Sequence, residues 1–306
     1  FKLLNMRKLL LPLSAICLLV FISCDKVENP IPIEEGAVDW TLFPGGDPAT
    51  YTYPTWTANT NTNRNVLIED YTGHLCTNCP AAAEDASYLE ENNAGRVFVA
   101  SIHASPDGFF QRVEPPEFNT DFTTGAGTIY TTAMPNFEGN PSGTVNRIDQ
   151  ASGNSVWYSP TDWSVATSLA LSSELEVNMQ LQHNYFSSTN SIFVHTETEL
   201  LTELEGTFNL VLYLIRDTVI SPQEMPPPAG VEEEYHHHSV LTDNINGTWG
   251  TQIVNGTTFA GKKIYNNFSY QIPTTDSTFN IDNLSLISYV CNRETYEILQ
   301  VIKTKL

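Results

Sequence analysis

The sequence predicts an α/β domain followed by an all-β domain, the latter an antiparallel β-sandwich. Three observations predict it. A strand-like run from Val66 to Tyr71 leads through a short turn into a stretch of helix formers, and a second apolar run, Arg96 to His103, follows. Strand, helix and strand at this spacing make a βαβ unit with parallel strands. Beyond Leu171 the chain becomes a series of alternating or apolar runs separated by polar turns, which is a sandwich pattern. Thr, Asn and Ser are abundant and helix formers sparse, so the composition as a whole leans toward β structure.

The 306 residues suffice for two domains of ordinary size. The expected divisions are a leader at 1–23, a tether at 24–64, the α/β domain at 65–155 and the β-sandwich at 156–306. The net charge is −21, and Lys2, Arg7 and Lys8 are the only charges before Cys24, so the chain from there on carries 11 basic against 35 acidic residues, a net of −24. Nucleic acid is excluded as a partner, because phosphate recognition needs basic patches. Charge-driven binding to an anionic membrane surface is excluded for the same reason.

The leader begins with the basic Met6-Arg7-Lys8 and continues as an apolar run, Leu9 to Ile22, too short to span a bilayer. It closes on Phe21-Ile22-Ser23-Cys24, which resembles a bacterial lipoprotein cleavage site, although Phe21 departs from the usual Leu. That resemblance implies lipidation of Cys24 and a cell-outer-membrane location. The following segment, to about Arg64, holds Pro30, Pro32, Pro44, Pro48, Pro54 and a Thr/Asn run, so it is expected to stay extended or loosely packed. Val38 to Phe43 is the exception and could add an edge strand to the first domain.

In the α/β domain the informative stretch is Glu69-Asp70-Tyr71-Thr72-Gly73-His74-Leu75-Cys76-Thr77-Asn78-Cys79-Pro80. The helix is expected to start at Cys76 and run to about Asn92, with Cys79 one turn in. A helix N-terminus favours thiolate over thiol, and sulfurs three residues apart can close a disulfide. His74, if protonated beside Cys76, could hold the thiolate down. A poor helix is expected near Thr124–Ala133. This stretch resembles the disulfide site of thioredoxins. The resemblance implies a thioredoxin-like domain in which Asp70 is a buried acid that takes a proton from the resolving Cys79, and in which the Gly139-Asn140-Pro141 loop faces the disulfide with Pro141 cis. Pro135 is the competing proline. The sequence departs from thioredoxin in lacking a Trp before Cys76 and in carrying its Pro after the second Cys, so redox direction does not carry over.

In the second domain, Ser159-Pro160-Thr161-Asp162-Trp163 has the signals of a helix start, fading by Leu171. Strands are expected over Leu175–Tyr185, Ser191–Glu199, Phe208–Arg216, Lys262–Gln271 and within Leu284–Val301. His236-His237-His238 is expected in an exposed loop entering a strand, with metal binding as the minor alternative, and Cys291 as a buried free thiol.

Taken together, the Glu69–Pro80 stretch, Gly139-x-Pro141 with Val145-Asn146-Arg147, Tyr235-His236-His237-His238-x-Val240-Leu241, Asn246-Gly247-Thr248-Trp249-Gly250 and Tyr289-Val290-Cys291-Asn292 resemble the twenty-eight-kilodalton outer-membrane-protein family of Bacteroidetes lipoproteins, from about residue 64 to 306. The resemblance implies an envelope lipoprotein with a thioredoxin-like and a β-sandwich domain, and no substrate. Two functions stay open. One is thiol–disulfide exchange with a protein thiol substrate, using Cys76, Cys79, Asp70 and Pro141. The other is a non-enzymatic surface binding or assembly module with an envelope protein partner, in which Cys76–Cys79 is a structural bridge. A zinc site from Cys76, Cys79 and two His has only half the ligands such a site requires. No cofactor and no metal are expected.

Overall fold

Among the described residues the first strand, β1 (Val66–Thr72), is buried along its whole length. A turn leads into α1 (Cys79–Asn92), and β2 (Val97–His103) then returns parallel to β1, with Val66 opposite Val97 and Thr72 opposite His103. α2 (Gly125–Ala133) starts where the sequence indicates, with the Thr124 hydroxyl accepting from the Gly127 amide. β3 (Ser142–Val145) lies antiparallel on β1, β4 (Trp157–Tyr158) lies on β3, and α3 (Trp163–Leu171) follows. The remaining strands are β5 (Val177–Phe186), β6 (Ser191–Leu200), β7 (Thr207–Ile220), the short β8 (Gln223–Glu224) and β9 (Val231–Glu232), β10 (His236–Asn244), β11 (Thr251–Asn255), β12 (Lys263–Gln271), β13 (Leu284–Asn292) and β14 (Ile298–Lys305). This is a computed structural model that describes residues 38–149, 155–274 and 277–306. The leader and Cys24 lie outside the described residues.

The architecture is mixed α/β and rich in β. One sheet runs in the order β14-β13-β7-β10-β2-β1-β3-β4, with β11 also on β7, and a smaller sheet runs β12-β6-β5. The large sheet crosses the expected division at 155/156, because β10 pairs parallel with β2 through Val240 and Ser101, and β4 pairs with β3. Strand alternation builds the layers. Leu210, Leu212 and Leu214 of β7 face Ile192, Val194 and Phe268 of the small sheet. Val211, Tyr213 and Ile215 face the other way and pack with Leu67, Tyr71, Ile102 and the α2 residues Ala126 and Tyr130. On the opposite side of β1 and β2, Val66, Ile68 and Val99 pack on Ala82, Ala86 and Leu89 of α1 and on Trp163 and Ala170 of α3.

Residues 38–64 differ from the expected loose tether and add no strand to the α/β part. They lie as a strap along the outer face of the small sheet. Trp40, Phe43 and Tyr51 pack edge-on against Phe186 and Phe193. The Thr189 and Ser191 hydroxyls donate to the Leu42 carbonyl, and Gln182 and Gln180 donate to the carbonyls of Thr55 and Thr57. The Thr/Asn run buries little apolar surface, as its composition requires, but its backbone carbonyls take hydrogen bonds from β5 side chains. As a result β6 is buried on both faces: Phe193 and His195 lie under the strap, and Ile192 and Val194 face the core.

Candidate functional site

The helix begins at Cys79, three residues later than the sequence suggested. Pro80 is the reason: a helix starting at Cys76 would need the Pro80 nitrogen to donate to the Cys76 carbonyl, and proline has no N–H. Cys76 instead ends a turn, donating its amide to the Gly73 carbonyl (3.0 Å), while the Cys79 amide donates to the Cys76 carbonyl (3.1 Å). The two sulfurs form a disulfide. Both residues are buried, at 2 % and 1 % exposure. The turn fits closely against the chain near Phe110: the Leu75 amide donates to the Phe110 carbonyl, and a Cβ on Gly73 would come within 2.5 Å of that oxygen.

Asp70 leaves β1 on the α1 side, two residues beyond Ile68. Because α1 runs back antiparallel to β1, Asp70 comes to line a cavity with Ala83, Glu84 and Ser87 of the helix. It is fully buried, and neither carboxylate oxygen has a hydrogen-bond partner. Burial pushes its pKa up from 3.8 to about 7. It lines a cavity of about 260 Å³ with Ser101, His103, Glu84, Gln223 and Tyr235.

The Asn140–Pro141 bond is cis, and Met134–Pro135 is not among the cis bonds. β3 pairs Ser142 with Tyr71, so Pro141 stands level with Thr72, where the chain leaves for Cys76. Gln111 holds this junction. Its side-chain nitrogen donates to the Thr72 carbonyl (2.6 Å) and to the Asn140 side-chain oxygen (3.2 Å), and its own oxygen accepts from the Ser105 hydroxyl (2.8 Å).

His74 does not serve as a cation beside Cys76. Its Nε2 is 2.8 Å from the Arg112 carbonyl, its ring stacks on Phe118, and burial holds its pKa below the ordinary value, so it is neutral at pH 7. The histidine run is not an exposed loop either. It opens β10, and alternation turns His236 and His238 outward and His237 inward. His237 and His103 both pack against Phe122, and burial lowers both pKa values, that of His237 to about 4. Among the described residues no three His, Cys, Asp or Glu side chains converge to hold a metal, and the two site cysteines are bonded to each other, so the zinc alternative has no geometry behind it. Cys291 is a buried free thiol, as expected, and burial raises its pKa to about 11.

Several residues shape the site through contacts that the sequence does not announce. Glu69 and Arg147 form a fully buried ion pair, with Nε and Nη2 each 2.7 Å or less from the carboxylate. Thr144 and Tyr213 also donate to Glu69, and Tyr289 donates to Tyr213. Burial works against the Glu69 carboxylate, but the Arg147 charge and these hydrogen bonds outweigh it, so its pKa falls below the ordinary value. Glu69 and Arg147 both stand in the stretches that carry the family resemblance, but nothing in the sequence pairs them. Gln111, Gln223 and His103 gave no signal.

The profile of the family described as outer membrane protein Omp28 matches residues 131–306. Among solved structures, HBP35 of Porphyromonas gingivalis superposes with a TM-score of 0.58 at 14 % identity, over 81 % of this chain and 77 % of its own, and the two share their overall fold. A domain of the outer membrane lipoprotein Omp28 from Porphyromonas gingivalis is 21 % identical over 43 % of this chain and 88 % of its own, with a TM-score of 0.30. No curated protein matches.

Proposed function

Because this chain belongs to the family of outer membrane protein Omp28 and is accordingly an outer-membrane protein, we propose that its α/β half is a thioredoxin-like domain that presents Cys76–Cys79 for thiol–disulfide exchange with protein thiols of the cell envelope. The reading rests on Asp70. A carboxyl buried without a single hydrogen-bond partner is costly to keep for structure alone, and this one lines a cavity with Ala83, Glu84 and Ser87 of the helix that Cys79 opens. In the reaction a partner thiolate attacks Cys76 Sγ, the Cys76–Cys79 bond breaks, and its electron pair leaves on Cys79 Sγ. Asp70, with a pKa of about 7, gives that sulfur its proton and takes it back when the disulfide reforms. Pro141 and its neighbours hold the partner backbone. Lipidation at Cys24 anchors the whole to the outer membrane.

The low exposure of the disulfide favours a second reading, a binding or assembly module in which the pair is a permanent bridge. Equilibration with glutathione buffers separates the two. A reduction potential above about −300 mV is expected for an exchanging pair, and a value below it supports the bridge. Cys76→Ser should abolish mixed-disulfide capture of partner thiols under the first reading and leave partner capture intact under the second.

A further inference from the structure

The segment between β7 and β10 bears directly on the disulfide. It folds as the β8–β9 hairpin, with Gln223 opposite Glu232 and Glu224 opposite Val231. Its first strand lies against the turn that holds Cys76. The Glu224 amide donates to the His74 carbonyl at 2.8 Å, and the buried Gln223 side chain donates to the Cys76 carbonyl at 3.1 Å. The hairpin base is tied down separately: the Ser221 amide donates to the Tyr235 carbonyl, and the Ser221 hydroxyl donates to Thr120. Its tip, Pro226 to Gly230, is exposed. A firmly held base, a free tip and two hydrogen bonds to the cysteine turn make an element that can lift without unfolding the sheet.

Exchange requires a thiolate to reach a sulfur along the S–S axis, and residues exposed by 2 % and 1 % offer no such approach. We propose that the β8–β9 hairpin is an internal occupant of the partner-docking strip: an extended, cysteine-bearing segment of a partner reaches Cys76 only by displacing Gln223 and Glu224, and its own backbone amide then pairs with the His74 carbonyl in place of that of Glu224. Docking is thus strand addition in which the protein's own strand competes. The inference rests on the exchange reading of the same disulfide.

The test is the rate at which dithiothreitol reduces the pair in the full chain, read by the mass gained on alkylation of Cys76 and Cys79. Each turnover moves two electrons from the dithiol to the disulfide and leaves cyclic oxidised dithiothreitol. Gln223→Ala, which removes one of the two bonds, should speed reduction about fivefold or more. Glu224→Pro, which removes the amide that donates to the His74 carbonyl, should be faster than wild type as well. Hydrogen exchange on the unaltered protein supplies a check that no variant's folding can disturb. The Glu224 amide must open at least as often as the disulfide is reduced. Equal reduction rates in wild type and both variants, or a Glu224 amide that exchanges only with global unfolding while reduction proceeds faster, overturns the proposal. Faster reduction in the variants together with a potential below about −300 mV keeps the hairpin as the cover and removes exchange as its purpose.

Discussion

Glu69 and Asp70 are consecutive in β1, so their side chains leave opposite faces of the sheet. Glu69 meets Arg147 and is held ionised; Asp70 accepts no hydrogen bond, and burial raises its pKa to about 7. For Asp70 the folded-state pKa of about 7 lies above the ordinary 3.8, so the unfolded chain releases this proton first as pH rises. Its ionisation therefore costs nothing below about pH 4, and stability is lost progressively as pH climbs to about 7. Asp70→Asn should raise the unfolding free energy at pH 8 by about 2–4 kcal/mol and leave it nearly unchanged at pH 4. Urea unfolding at the two pH values checks this; an equal change at both would remove ionisation as the cause. If Asp70 also serves Cys79, the same variant slows exchange most below pH 7, where the acid form supplies the proton. His237 carries the opposite slope. Burial lowers its pKa to about 4, so its contribution is complete above about pH 6.5 and is lost as pH falls toward 4. His237→Gln should therefore blunt the drop in melting temperature on acidification over that window.

At the scale of elements, the buried ion pair joins β1 and the turn after β3 to β7 and β13 through Tyr213 and Tyr289. Arg147→Met leaves the Glu69 carboxylate buried without its counter-charge and should destabilise the protein by about 3–5 kcal/mol, whereas the double change Glu69→Leu/Arg147→Met should recover much of that loss. Chemical denaturation of the three variants measures the coupling. The order β1–α1–β2, the position of α2 and most of the later strands were legible in the sequence, because each has its own hydrophobic period or cap. The cysteine spacing points to a helix start at Cys76, but the missing N–H of Pro80 moves the start of α1 to Cys79. β8 and β9 were invisible: two residues each around a proline run have no period to detect, and their pairing depends on carbonyls of a distant turn. Asp70 and Pro141 could be named from resemblance, but the partners of Glu69 could not. Arg147 lies 78 residues away and its tyrosines farther still.

At the scale of the molecule, the strap is where composition misled most. A stretch rich in Pro, Thr and Asn has too little apolar surface to fold alone, yet three aromatic rings let it dock on a sheet that already exists. Removing residues 38–57 should uncover Phe186 and Phe193, lower stability by roughly 2–4 kcal/mol and promote association. Thermal melts and light scattering on the shortened chain test both effects. The β1 end of the fold is likewise tied to β14. The Asn65 amide donates to the Gln300 side chain, the Asn65 side chain donates to the Val301 carbonyl, and Arg64 reaches Glu297 and the Ile298 carbonyl. These contacts span more than 230 residues, and contacts of that separation are slow to form because the intervening loop must close first. The strand that leads to the cysteines gains its last neighbours only when β14 is available. Oxidation of Cys76 and Cys79 can therefore precede completion of the fold around them, and the bond that the finished protein shields is open to the envelope's oxidants during assembly.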